Sequence, residues 1–151
     1  VGSEMGASVA VNWALIDCGW PRLSVGKQGQ DVSALVLISP QWSYKNLRFS
    51  EALGHDEVRS KIAVYIIVGG NDSRAMNNAK RVYKALQPYH DDSSEDASKR
   101  DLFIQSYKTS LQGTDLLGEG LGVGENIAKF INLRLVNQNT PWQKRELPLG
   151  Q

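Results

Sequence analysis

The spacing of apolar residues along the chain predicts alternating helices and strands. The first apolar residues recur three and four positions apart, which predicts a helix that begins after Gly2 and reaches about Asp17. Its predicted inward face carries Met5, Val9, Ala10, Trp13 and Ala14. An almost unbroken apolar run over residues 32–38 ends at Ser39 and Pro40, and it predicts a strand buried on both faces, as in parallel sheets.

The same pattern continues in the second half of the chain. Residues 62–68 predict another fully buried strand, which Gly69 and Gly70 end. Either Asp72 or Ser73 can cap the helix that follows, and Pro88 marks its end. The predicted inward residues of this helix are Ala75, Ala79, Val82, Tyr83 and Leu86.

A shorter strand over 102–107 and a glycine-rich connection over 113–124 lead to a final helix. That helix is marked by Val123, Ile127, Phe130, Ile131 and Leu135. Alternation of helices and strands predicts the α/β class, with a mostly parallel sheet flanked by helices. The less regular segments are predicted to be a short helix near 50–60, a charged surface loop over 90–100 and an irregular tail over 137–151.

Composition narrows the classes of function. The chain has 151 residues, 41% of them hydrophobic, and 17 basic residues against 16 acidic ones give a formal charge of +1. Such a balance does not favour binding to nucleic acid or to an anionic membrane surface. The apolar runs are shorter than the roughly 20 residues of a membrane span. The single cysteine, Cys18, cannot form an internal disulfide. The sequence patterns predict no metal and no cofactor, and they do not identify a cellular compartment.

The first eight residues, VGSEMGAS, lie where a predicted strand turns into a helix. This segment resembles the nucleophile elbow of the α/β-hydrolase family, G-x-S-x-G, with Gly2 and Gly6 at the two glycine positions. The resemblance implies that these glycines let the strand and the helix approach closely. Glu4 occupies the position at which the family carries its nucleophile.

Two later segments resemble the remaining triad positions of that family. Residues 68–72, VGGND, resemble the turn that carries the acid, which places Asp72 at the acid position. Residues 111–115, LQGTD, resemble the loop that carries the histidine, and Thr114 stands at the histidine position. The resemblance covers residues 1–136 as the C-terminal half of such a domain. Since the chain begins at Val1 rather than at Met, we expect the first half of the sheet to precede it.

The resemblance therefore implies a scaffold whose nucleophile and histidine positions are substituted. His55 and His90 are both predicted to be ordinary surface residues, so no imidazole would serve as a general base. Ser3 and Ser8 are predicted to form local hydrogen bonds, and Asp72 is predicted to cap a helix. We expect a non-catalytic domain with a binding or structural role.

Two alternatives involve the substituted elbow. An esterase-like hydrolase could use Glu4 as a carboxylate nucleophile, as the dehalogenase branch of the family uses aspartate, or residues of a preceding half. Opening the resulting ester would also need a histidine. A nucleotide site is disfavoured because the sequence has no G-x-G-x-x-G and no phosphate-loop lysine, and Glu4 would repel a phosphate.

Ligand and partner contacts are predicted at two places. Trp42 and Tyr44 follow the end of the first buried strand, where sites of α/β sheets form, and could line a pocket. The sheet edge beside the first strand would be uncovered by this half alone. We expect it to be covered by the preceding half of the domain or by a second copy of the chain.

Overall fold

The computed structural model describes residues 1–19, 31–90, 99–118 and 120–136. In chain order its strands and helices are β1 (Gly2–Ser3), α1 (Met5–Gly19), β2 (Ala34–Ile38), β3 (Ser43–Tyr44), β4 (Leu47–Arg48), α2 (Phe49–Ala52), α3 (Asp56–Lys61), β5 (Ala63–Gly69), α4 (Ser73–Leu86), β6 (Leu102–Tyr107) and α5 (Val123–Ile131). Short 3₁₀ turns cover Gln87–Tyr89 and Gly113–Leu117, and a π-helical turn, Asn132–Val136, follows α5.

One parallel sheet organises these elements. Its four strands lie in the order β1, β2, β5, β6, and every neighbouring pair is parallel. The strands β3 and β4 form a separate antiparallel hairpin. The predicted α/β class with a mostly parallel, helix-flanked sheet is confirmed. None of the described helices is both long and apolar enough to cross a membrane.

Helices cover the sheet on both faces, and β5 shows how. All seven of its residues are buried. Alternate side chains of a strand point to opposite faces. Ile66 therefore packs with α1 and α4 on one face, whereas Tyr65 and Ile67 pack with Phe130 of α5 on the other. Burial on both faces explains why this strand is a continuous apolar run rather than an alternating one.

The predicted inward face of α1 is wrong at its largest residues. Met5, Val9 and Trp13 are 48%, 51% and 60% exposed, and Ile16 is 54% exposed. The buried face of α1 instead carries Ala7, Ser8, Val11, Ala14, Asp17 and Cys18. Because α1 is apolar on nearly all sides, periodicity alone did not distinguish its two faces. The smaller residues face the core because the helix lies close to β1 and β2 there.

The segment between β2 and β5 also differs from its prediction. In place of one helix near 50–60 the structure has two short helices, α2 and α3, and the β3–β4 hairpin precedes them where no strand was predicted. Gly54 lies between these helices, and its flexible backbone favours the break. The predictions for 91–98 and for the tail over 137–151 lie outside the described residues.

Candidate functional site

The strand-to-helix bend at Glu4 has the sharp geometry that the sequence predicts. Glu4 is the one residue between β1 and α1, and its φ is +49°. Its N–H donates to the carbonyl of Ile38 at 2.8 Å, and its own carbonyl accepts from the N–H of Ala7 at 3.2 Å. A non-glycine residue rarely adopts this left-handed conformation, which persists only where the surroundings impose it. The hydrogen bonds on both sides fix the backbone of Glu4.

The two glycines of the bend are not equivalent. A Cβ on Gly2 would lie 2.3 Å from the carbonyl oxygen of Gly6 and 2.7 Å from the Cα of Ala7. These atoms belong to the backbone of α1 and cannot move independently of the helix. A Cβ on Gly6 would meet nothing within 4 Å. The close approach of strand and helix therefore depends on Gly2, whereas Gly6 matches the family pattern without a steric need.

A second left-handed residue lies at the end of the neighbouring strand. Ser39 directly follows β2, has φ +49° and is buried. Its hydroxyl donates to Oε1 of Gln112 at 2.6 Å and accepts the N–H of Gly113 at 2.9 Å. The Gln112 amide in turn donates to the carbonyl of Gly69 at 2.9 Å. This hydrogen-bond network holds the segment after β6 against the ends of β2 and β5.

Glu4 lies in a polar cleft of about 410 Å³ at the carboxyl ends of the strands. In α/β sheets ligands bind in this position. The lining residues are Glu4, Ser39, Pro40, Gln41, Trp42, Ser43, Asp72, Arg74, Ala75, Asn78, Arg81 and Gln112. The Glu4 side chain lies beside Gly113, since a Cβ on that glycine would be 2.9 Å from the carboxylate Oε2. Gly113 has φ +60°, so glycine suits both its conformation and this contact.

The structure brings three of the five predicted site residues into this cleft. Glu4, Asp72 and Trp42 line it, whereas Thr114 and Tyr44 do not. Thr114 is exposed in the 3₁₀ turn directly after Gly113. Tyr44 belongs to the hairpin, where the Lys45 ammonium lies 5.5 Å from its ring centroid.

Asp72 caps helix α4, as predicted. Its Oδ1 accepts the N–H groups of Arg74 at 2.8 Å and of Ala75 at 3.0 Å. These are two of the backbone donors that a helix leaves unsatisfied at its start. The carboxylate therefore stabilises the helix that forms one wall of the cleft.

Neither histidine lines the cleft. The prediction that both lie at the surface is wrong for His90. His90, predicted at the surface, is buried, and its Nδ1 lies 2.7 Å from Oδ1 of Asp101. Asp101 precedes the first residue of β6, at the amino ends of the strands, whereas Glu4 follows the carboxyl end of β1. One strand length, about 20 Å, separates these two edges of the sheet. His55 is half-buried and precedes α3.

Polar contacts of Ser8 also differ from their prediction. Ser8 is fully buried, and its hydroxyl donates to the carbonyl of Gln41 at 3.2 Å, which is not a local contact. It thereby fixes α1 to the segment that enters the cleft wall at Trp42. Among the described residues no group of three or more His, Cys, Asp or Glu side chains is placed to hold a metal ion.

Searches with this chain against protein-family models, curated proteins and solved structures gave no match.

Replacing each glycine of the bend by alanine tests the close approach of β1 and α1. Gly2→Ala is expected to lower the free energy of unfolding by about 2 kcal/mol or more, because its Cβ overlaps helix backbone. Gly6→Ala, the matched control, should leave stability unchanged or raise it by up to about 1 kcal/mol, since alanine favours helix. Urea unfolding followed by circular dichroism measures both. Equal effects of the two substitutions would contradict the proposed packing.

Proposed function

We propose that this chain is a non-catalytic α/β-hydrolase-like domain with a binding role at the polar cleft. The observation that carries the proposal is the chemistry around Glu4. The bend presents a carboxylate at the cleft, and no histidine of the described residues lines that cleft. Acyl transfer needs a base to activate a nucleophile and an acid to protonate the leaving group. The described lining has the carboxylates of Glu4 and Asp72 but no imidazole to perform both steps, which supports a non-catalytic role.

The topology supports the hydrolase-like part of the proposal. The three positions that resemble the triad follow β1, β5 and β6, which are parallel strands with their carboxyl ends at one edge. The left-handed φ of Glu4 and the strand-to-helix contact at Gly2 are features that a nucleophile elbow requires. Gly113, directly before Thr114, lies against the Glu4 side chain. The substituted positions thus lie near one another.

Other groups at the cleft are engaged in holding structure. Asp72 accepts the first backbone N–H groups of α4, and Ser39 joins Gln112 and Gly113. The Ser39 hydroxyl donates to an amide oxygen, which is too weak a base to remove its proton. An esterase-like route through Glu4 is the rival function, favoured by the left-handed conformation that aims this residue as a nucleophile is aimed. Among the described residues that route has no histidine in the cleft to serve as the base for hydrolysis of its intermediate.

Turnover of p-nitrophenyl acetate distinguishes the two functions. We expect the protein to release nitrophenol no faster than the Glu4→Gln variant at equal concentration, because neither has an imidazole in the cleft to activate a nucleophile and protonate the leaving group. Product absorbance measures the rate, and circular dichroism confirms that both proteins are folded. Saturable turnover that Glu4→Gln abolishes would overturn the non-catalytic proposal and support the esterase-like one.

We also propose that further strands of the same domain cover the β1–α1 unit. Met5, Val9, Trp13 and Ile16 recur at helical spacing and form an exposed apolar stripe along α1. Among the described residues β1 pairs only with β2, so its other edge has no partner. An apolar helix face and an open edge of a parallel sheet in one β–α unit are the surfaces that an adjoining β–α unit covers.

Mass measurements on the protein isolated from its own cells test this occupant. We expect a single polypeptide heavier than the 16.7 kDa of this chain. In that polypeptide Trp13→Lys should lower the free energy of unfolding, because the additional strands would bury the stripe and the new charge with it. Intact-mass spectrometry gives the mass of the polypeptide, and sedimentation equilibrium gives the mass of the particle in solution. Urea unfolding measures the stability of the variant. A polypeptide of 16.7 kDa that sediments as a dimer would make a second copy the occupant, and a monomer of that mass would leave the stripe uncovered. Either result overturns the proposal.

A further inference from the structure

Helix α4 carries a row of hydrogen-bond donors along the polar cleft. Arg74, Asn78 and Arg81 are separated by four and three positions, which places them on one face of the helix. All three line the cleft. Neither arginine forms an ion pair with an acidic side chain of the described residues. The two guanidinium groups therefore have donors available to a ligand.

Contact with an aromatic ring orients one of these arginines. The Arg81 guanidinium lies 4.0 Å from the ring centroid of Trp42. Trp42 in turn stacks at 6.3 Å on Phe49, which is fully buried. A guanidinium that lies over a ring uses its flat face, so its N–H groups at the rim remain free to donate. This contact favours an orientation of the exposed Arg81 side chain along the cleft wall.

The opposite charge is also present in the cleft. The backbone of Glu4 is fixed and its exposed side chain lies beside Gly113, and its carboxylate has no hydrogen-bond partner among the described residues. Asp72 uses only Oδ1 for its helix cap. The cleft therefore has two carboxylates and two guanidiniums in its lining, with no ion pair joining Glu4 to either arginine. A ligand with one positive and one negative group can pair with both sets at once, whereas a ligand with a single charge can pair with only one of them.

We infer that the polar cleft binds a small zwitterion with a free amino group and a free carboxylate, such as a dipeptide. This inference rests on the proposed binding function of the cleft. The ligand carboxylate accepts from Arg74 and Arg81, since guanidinium groups bind carboxylates through paired hydrogen bonds. The ligand ammonium donates to Glu4. A volume of about 410 Å³ lies within the usual range for small-molecule sites, and Trp42 supplies an apolar contact.

Titration with glycyl-leucine tests the inference, with the Trp42 indole N–H signal in nitrogen-15 NMR spectra as the readout. We expect saturable shifts with a dissociation constant on the order of 1 mM. N-acetyl-glycyl-leucine lacks the ammonium and glycyl-leucinamide lacks the carboxylate. Each should bind about tenfold more weakly, because one charge-assisted contact is lost. Equal binding of the blocked and free dipeptides, or no saturable shift with glycyl-leucine, overturns the inference.

Variants of α4 locate the binding to the row of donors. Arg74→Gln and Arg81→Gln should each weaken glycyl-leucine binding about tenfold. Lys80→Gln, the matched control, removes an exposed cation from the same helix outside the cleft and should leave binding unchanged. Arg74→Gln alone suffices if the loss of the Trp42 contact unfolds Arg81→Gln. Equal weakening by Lys80→Gln contradicts the site, whereas absent binding without ester turnover rejects the ligand and leaves the non-catalytic function standing.

Discussion

The left-handed turn at Glu4 is the constraint on which the arrangement of the site depends. Its N–H is bonded to Ile38 at the end of β2, and Ser39 is bonded in the same way to Ile67 of β5. Each strand end is thereby positioned by the next strand of the sheet. Because a Cβ on Gly2 would meet the backbone of α1, the helix starts directly above the strand it follows. The direction of α1 and the position of the Glu4 carboxylate are consequences of one tight bend.

Strand ends and the capped start of α4 together form the polar cleft. The network from Ser39 through Gln112 to Gly69 holds the segment after β6 in place, and this segment brings Gly113 against Glu4. Buried side-chain networks of this kind fix a structure when every member is satisfied. Ser39 and Gln112 are thus used to hold loops, whereas Glu4 and the α4 arginines form no ion pair among the described residues. This division supports the proposed binding role.

The sequence predicted the long, regular elements and part of the site. Strand β5 and helix α4 have clear apolar patterns, and the Asp72 cap follows directly from the residue type. Since parallel strands end at a common edge, the convergence of Glu4, Asp72 and Trp42 was also within reach. The faces of α1 were not, because a helix that is apolar on nearly all sides carries no periodic signal. The two-residue strands β3 and β4 are too short to show any period.

Other features depend on contacts that a single sequence does not contain. The bond between Ser39 and Gln112 joins residues 73 positions apart, and no local pattern pairs them. Burial of His90 likewise follows from its contact with Asp101 across a segment that the sequence marks as polar. The row formed by Arg74, Asn78 and Arg81 did have a signal in its helical spacing. That spacing becomes informative only once the opposite face of α4 is known to pack on the sheet.

The free energies of unfolding of Glu4→Gly and Glu4→Gln test the central constraint most directly. Both variants remove the carboxylate, but only glycine relieves the left-handed backbone, by about 1–2 kcal/mol. Glycine also loses about 0.5–1 kcal/mol through its larger freedom in the unfolded chain. The account predicts that Glu4→Gly is more stable than Glu4→Gln, by about 0.75 kcal/mol at the midpoints of these two ranges. A glycine variant of equal or lower stability would contradict it.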